Sequence, residues 1–162
     1  MPVTTDITAT YRGPRRVMAR LVSMGQREDR ALAFLMGGCI LMFFARLPSL
    51  ARQAHLESSD LNMLMGGALL ALIFILPLVL YVLAWVTHLI ARAVGGRGDS
   101  YTARLALFWA LLAASPLALL HGLVAGFIGP GAAQQVVGLI WFLLFAWFWI
   151  SCLVQGYKAG SL

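Results

Sequence analysis

HLIARAVGGRGDSYTARLALFWALLAASPLALL, residues 88–120, is the stretch whose reading decides the fold. A basic, glycine-broken loop from Arg92 to Arg104 separates two long apolar runs, one ending near Ile90 and the other starting near Ala103. Each run is at least as long as the roughly 20 apolar residues that a helix needs to cross a bilayer. The loop therefore reads as a reversal between two membrane spans. Gly95, Gly96 and Gly98 make the interhelix turn, because residues without a Cβ allow a tight change of direction. The same glycines do not form a nucleotide loop, since no strand precedes them and no Lys-Ser/Thr follows.

The composition extends this reading to the whole chain. Of 162 residues, 61% are hydrophobic and 11% charged, against about 25% charged in an average soluble domain. Mean hydropathy is +0.86. The net charge of +6 is carried by segments that flank the apolar runs, with no basic stripe interleaved with stacking residues, so nucleic acid is excluded as a partner. Cys39 and Cys152 both lie inside apolar runs, which offers neither a disulfide framework nor a metal spacing.

The expected fold class is an all-α membrane protein with four transmembrane helices, preceded by an N-terminal amphipathic interfacial helix. Residues 1–30 form a cytoplasmic segment. Within it, Pro14 to Arg27 reads as a helix with Val17, Met18, Leu21, Val22 and Met24 on one arc. Arg16, Arg20, Ser23 and Arg27 occupy the other. An apolar face opposite an arginine face suits the membrane interface, with Arg16, Arg20 and Arg27 on anionic headgroups. Residues 31–157 form a single bundle with spans at about 31–50, 61–90, 103–127 and 134–155, and residues 158–162 a cytoplasmic tail. Arg46 must snorkel for the first span to reach full length, and Pro48 falls at its exit. Ala51 to Asp60 is the first loop, its Ser58-Ser59-Asp60 offering N-cap chemistry to the second span. Ser100 is the corresponding cap for the third. Leu35-Met36-Gly37-Gly38 recurs as Leu64-Met65-Gly66-Gly67, which reads as chance in so small an alphabet.

Basic residues set the orientation. With four spans, Arg12, Arg15, Arg16, Arg20, Arg27, Arg30, Arg92, Arg97, Arg104 and Lys158 share one side, against Arg46 and Arg52 on the other. The positive-inside rule then places both termini in the cytoplasm, and eleven arginines against one lysine, with many Ala and Gly, point to a bacterial chain and so to an inner membrane.

Candidate chemistry is sparse. The carboxylates Asp6, Glu28, Asp29, Glu57, Asp60 and Asp99 all fall outside the expected spans, which argues against a proton-coupled carrier. His55, His88 and His121 do not converge on a metal site, and no cofactor is expected. His88 reads as an interfacial residue bonded to a headgroup or backbone carbonyl. Pro77 and Pro116 lie at matching depth above the loop, where each frees a carbonyl four residues earlier. With Ser115 they could open a midplane pocket, the basis for an alternative reading as a small transporter or channel component. Gly122 and Gly126 form a small-xxx-small pair for helix packing, within the chain or in a homo-oligomer. The fourth span concentrates aromatics, from Trp141 to Trp149, wide enough to meet lipid or a membrane-protein partner.

At the loop the chain resembles the Yip family of polytopic membrane proteins (Rab-GTPase-interacting-protein-like), in its bacterial branch. The resemblance rests on His88 to Ala93, on Gly95-Gly96-Arg97-Gly98-Asp99-Ser100-Tyr101, and on Ala106, Leu107, Trp109, Ala110 and Pro116. It covers about a third of the chain. What it implies is a multi-span domain with a cytoplasmic N-terminus and no enzymatic activity. The functional expectation is a non-enzymatic inner-membrane protein acting through lipid or membrane-protein contacts, in an accessory or assembly role.

Overall fold

A computed structural model describes residues 2–159; residues 160–162 of the expected tail lie outside the described residues. Among the described residues every regular element is helical: α1 (Val3–Arg12), α2 (Pro14–Ser23), α3 (Glu28–Glu57), α4 (Leu61–Leu69), α5 (Leu76–Ala93), α6 (Ser100–Phe127) and α7 (Ala132–Ala159). A π turn, Leu70–Ile75, joins α4 to α5, so that Leu61–Ala93 runs as one rod. Four helical rods are long and apolar enough to cross a membrane, the mark of a multi-pass membrane protein.

The boundaries differ from expectation where side chains close helix ends. α3 runs through residues 51–57, which the sequence suggests are loop, because Arg52 reaches the terminal carbonyls of α6 at Gly126 and Phe127. Gln53 also donates to Glu57 one turn on, at 3.0 Å. Pro48 therefore lies inside a helix and not at its exit. Ser58 ends α3 in the left-handed region (φ 51°), and Asp60 accepts the Asn62 N–H at 3.0 Å to start α4. At α6 the N-cap position belongs to Asp99; Ser100 instead accepts a hydrogen bond from Arg104 at 2.8 Å.

The core is built around α6. It packs on α3 on one side and α7 on the other, with α5 against a third face. Leu105 to Ala110 are wholly buried. The α3–α6 crossing depends on Gly122 and Gly126, where a Cβ would run into the backbone of Ala45 and the ring of Pro48. That pair thus serves packing within the chain.

Both proline positions have local solutions. Pro77 lacks the N–H that would close on Ile73, and the helix widens just before it, with the Leu76 N–H bonding Ala71. Pro116 frees the Leu112 carbonyl, and the Ser115 hydroxyl donates to that oxygen at 2.6 Å.

Candidate functional site

The connections between the rods define the two ends of the bundle: a loop end at Val94–Asp99, and a far end with the turns at residues 58–60 and 128–131. The loop end carries the charge, and it carries a feature absent from the sequence-based expectation. Residues 3–23 form a helical hairpin, α1 and α2 reversing at Gly13. Pro14 fits the first position of α2, where a missing N–H costs nothing. Asp6 and Arg20 pair across the two helices.

The hairpin is set into the bundle. Val17, Met18 and Leu21 are 4%, 0% and 2% exposed, and α2 packs on α7. This corrects the interfacial helix over most of its length: Val17, Met18 and Leu21 of the apolar arc face protein and not acyl chains, whereas Met24 at its end is exposed. Met18 reaches α7 at Gly156, where a Cβ would meet both its methyl group and Thr102.

The tip goes deepest. Trp109 Nε1 donates to Thr10 Oγ1 at 3.1 Å, and that hydroxyl donates to Asp6 O at 2.7 Å. Tyr11 Oη donates to Ala113 O at 3.0 Å, and its ring meets Phe148 edge-on at 5.0 Å. Burial raises the Tyr11 phenol above its ordinary pKa, which keeps the donor protonated. Trp109 and Ala113 lie five and nine residues past Arg104, about 7 and 13 Å along the helix. The Gly13 turn therefore enters the apolar zone of the bundle from the loop end.

Three arginines ride on that tip. Arg12, Arg15 and Arg16 are exposed, and their guanidiniums have no ion-pair or hydrogen-bond partner among the described residues. Arg12 and Arg16 border a depression of about 500 Å³ with Thr8, Tyr11 and Val17. Of the three arginines singled out from the helical wheel, only Arg16 is free. Arg20 pairs with Asp6, and Arg27 with Asp29 at 2.8 Å. A helical wheel does not single out Arg12 and Arg15, because it does not show the reversal at Gly13; the Gly13-Pro14 pair is the available signal.

Elsewhere the loop end is closed by its own polar groups. Arg30 donates to Leu21 O, Gly25 O and Tyr101 Oη at 3.0, 2.8 and 3.1 Å. Arg104 pairs with Glu28, and Gln26 with Asp99. His88 Nδ1 is bonded to Tyr157 Oη at 2.6 Å, where a headgroup or backbone partner was expected. The Tyr157 ring lies against Gly96 and Gly98, where a Cβ would sit 2.7 and 2.8 Å from it. Gly95 has φ +90°, the conformation that a turn residue without a Cβ adopts freely. Gly95 thus turns the chain, and Gly96 and Gly98 make a seat for an α7 aromatic.

The paired-proline region does not assemble as one pocket. Pro77 is buried and Pro116 exposed, while Ser115 is engaged with Leu112. The cavity nearest in depth is lined by other residues. Comparison with protein families, with curated proteins and with solved structures found no match.

Proposed function

We propose that the chain is a non-enzymatic integral protein of a bacterial inner membrane, of the Yip-like type, with both termini cytoplasmic. It acts through contact with anionic lipid and with membrane-protein partners, in an accessory or assembly role. The observation that carries this reading is the hairpin tip: three unpaired arginines held against the edge of the apolar zone. A guanidinium at that depth has no protein anion to meet, and lipid phosphates are the abundant acceptors within its reach. The packed arc of α2 sets the arginine face outward, at the membrane interface. The ten basic residues of the loop end, against Arg46 and Arg52 at the far half, support the cytoplasmic assignment.

The test uses the whole chain in nanodiscs, since the hairpin is completed by the bundle. Amide exchange across residues 3–23 should slow when neutral lipid is replaced by a mixture rich in phosphatidylglycerol. Arg12→Gln, Arg15→Gln and Arg16→Gln together should erase the difference, and Arg20→Gln should erase much less. Exchange that ignores lipid charge in the unaltered protein would overturn the reading.

A further inference from the structure

The far half of the bundle holds a second polar place, unconnected with the hairpin. A cavity of about 270 Å³ opens where α3, the π turn, α6 and α7 converge. Its walls are mostly apolar, from Met42, Leu72, Leu76 and the small faces of α6. Besides Ser49, whose hydroxyl donates to Arg46 O within its own helix at 2.8 Å, three polar side chains line it: Arg46, exposed at its mouth, and the half-buried His121 and Trp141. His121 is six residues before Phe127, and Arg46 six before Arg52, so both lie about 9 Å inside the far end. Ionisable side chains at such depth are costly and mark ligand sites more often than packing.

The chemistry of the three is one-sided. Arg46 offers a guanidinium with no ion-pair or side-chain hydrogen-bond partner among the described residues. Trp141 Nε1 is buried and likewise without a partner. A histidine ring carries at least one N–H in either protonation state, and His121 is packed against Gly138, where a Cβ would stand 3.1 Å from its Nε2. No carboxylate lines the cavity. An indole N–H buried without an acceptor is costly in an apolar setting, so the arrangement asks for an acceptor, and the guanidinium asks for an anion.

The cavity's neighbour supplies the other half of an amphiphile site. Arg46 and Leu72 also border a groove of about 440 Å³ between α3 and α4. That groove is lined by Leu50, Leu64, Ala68 and Ala71, with Gly67 leaving open space on its side. The head cavity is too small for a whole lipid, and the groove gives its chains a way out. We propose that the cavity binds the phosphate head of an anionic phospholipid taken from the far leaflet, with its acyl chains lying in the α3–α4 groove. Arg46 meets the phosphate, Trp141 and His121 donate to its oxygens, and the π turn shapes the wall between head and tail.

Native mass spectrometry of the full chain, released from a neutral detergent, tests this. Phosphatidylglycerol should give a one-to-one adduct about tenfold tighter than diacylglycerol of the same chains, which lacks the phosphate, the worth of one charge-assisted contact. Glycerol phosphate, which has the head alone, should bind far more weakly than the lipid. Arg46→Gln should weaken the adduct about tenfold. Trp141→Phe keeps an aromatic ring in place and removes the N–H, so it should weaken the adduct severalfold without lowering the unfolding temperature of the lipid-free protein; it decides the matter if Arg46→Gln does not fold. Replacing Arg12, Arg15 and Arg16 by Gln should leave the adduct intact, which separates this site from the hairpin. Equal binding of the two lipids, equal binding of glycerol phosphate, or an adduct indifferent to Arg46→Gln and Trp141→Phe would each overturn the proposal.

Discussion

Helix α6 and the Leu61–Ala93 rod are both apolar spans, yet the more apolar one is the less buried. Over their most apolar 18-residue windows, the rod has a mean hydropathy of 2.8 and is 11% buried, whereas α6 has 1.9 and is 61% buried. In water this order would be paradoxical. In a bilayer the tails are as apolar as leucine, so hydropathy does not draw a side chain inward; close packing does, and small residues permit it. α6 carries Ala106, Ala110, Ala113, Ala114 and Ala118 toward its neighbours, all at most 5% exposed. The rod presents Phe74, Leu78, Val82 and Trp85 outward, each more than half exposed.

The strongest way to break that contrast is to remove one large aromatic from each. Trp109 is fully buried, meets Phe34 edge-on at 4.9 Å and anchors Thr10. Trp109→Ala should cost about 3–5 kcal/mol by the usual range for buried aromatics and release the α1–α2 hairpin. Trp85 is 58% exposed, and Trp85→Ala should cost less than about 1 kcal/mol, as exposed substitutions do. Titration from mild detergent into SDS, followed by circular dichroism, reads both. Similar losses at the two positions would mean that the rod is packed as tightly as α6.

Glycine gives a sharper version, with opposite signs from one substitution. At Gly122 a Cβ would enter the Ala45 carbonyl, a backbone group with no room to yield. Gly122→Ala should push α3 from α6 at about 1–3 kcal/mol, the range of overpacking. At Gly66 a Cβ meets nothing within 4 Å, so Gly66→Ala should be neutral or stabilise by up to about 1 kcal/mol through helix propensity. The same titration measures it, and a stabilising Gly122→Ala would refute the crossing.

The glycines also show what was legible beforehand. Leu35-Met36-Gly37-Gly38 and Leu64-Met65-Gly66-Gly67 read alike, but Gly38 is pressed against Leu111 while Gly66 and Gly67 face open space. Period and length locate four apolar helices, because every backbone group in lipid must be paired within its own segment. They do not tell which face meets protein. The polar hairpin is harder still: periodicity shows a helix from Pro14 to Arg27, which in the structure stops at Ser23, whereas α1 is held by Thr10 and Tyr11 bonding residues about a hundred positions away. Arg46, His121 and Trp141 were each noticed singly, and nothing in their spacing announces a shared cavity.

The smallest expected effect tests the deepest contact of the hairpin with α6. Tyr11 donates to Ala113 O, and Tyr11→Phe keeps the edge-on packing with Phe148 while removing the donor. A neutral hydrogen bond of this kind contributes about 0.5–1.5 kcal/mol, and half-exposed Tyr11 belongs at the lower end. The pH dependence has a definite sign. The folded phenol titrates above its ordinary value, so its share of stability is whole below the unfolded pKa of roughly 10 and fades as pH rises through the folded value. A phenolate cannot donate to Ala113, and it carries charge into a desolvated place. Hydrogen exchange at residues 3–12 should therefore separate the protein from its Tyr11→Phe variant at about pH 8, with the gap closing as pH rises above the ordinary phenol value of roughly 10. A gap that stayed constant across that range would show that the hydroxyl does not hold the hairpin, and that the ring alone does.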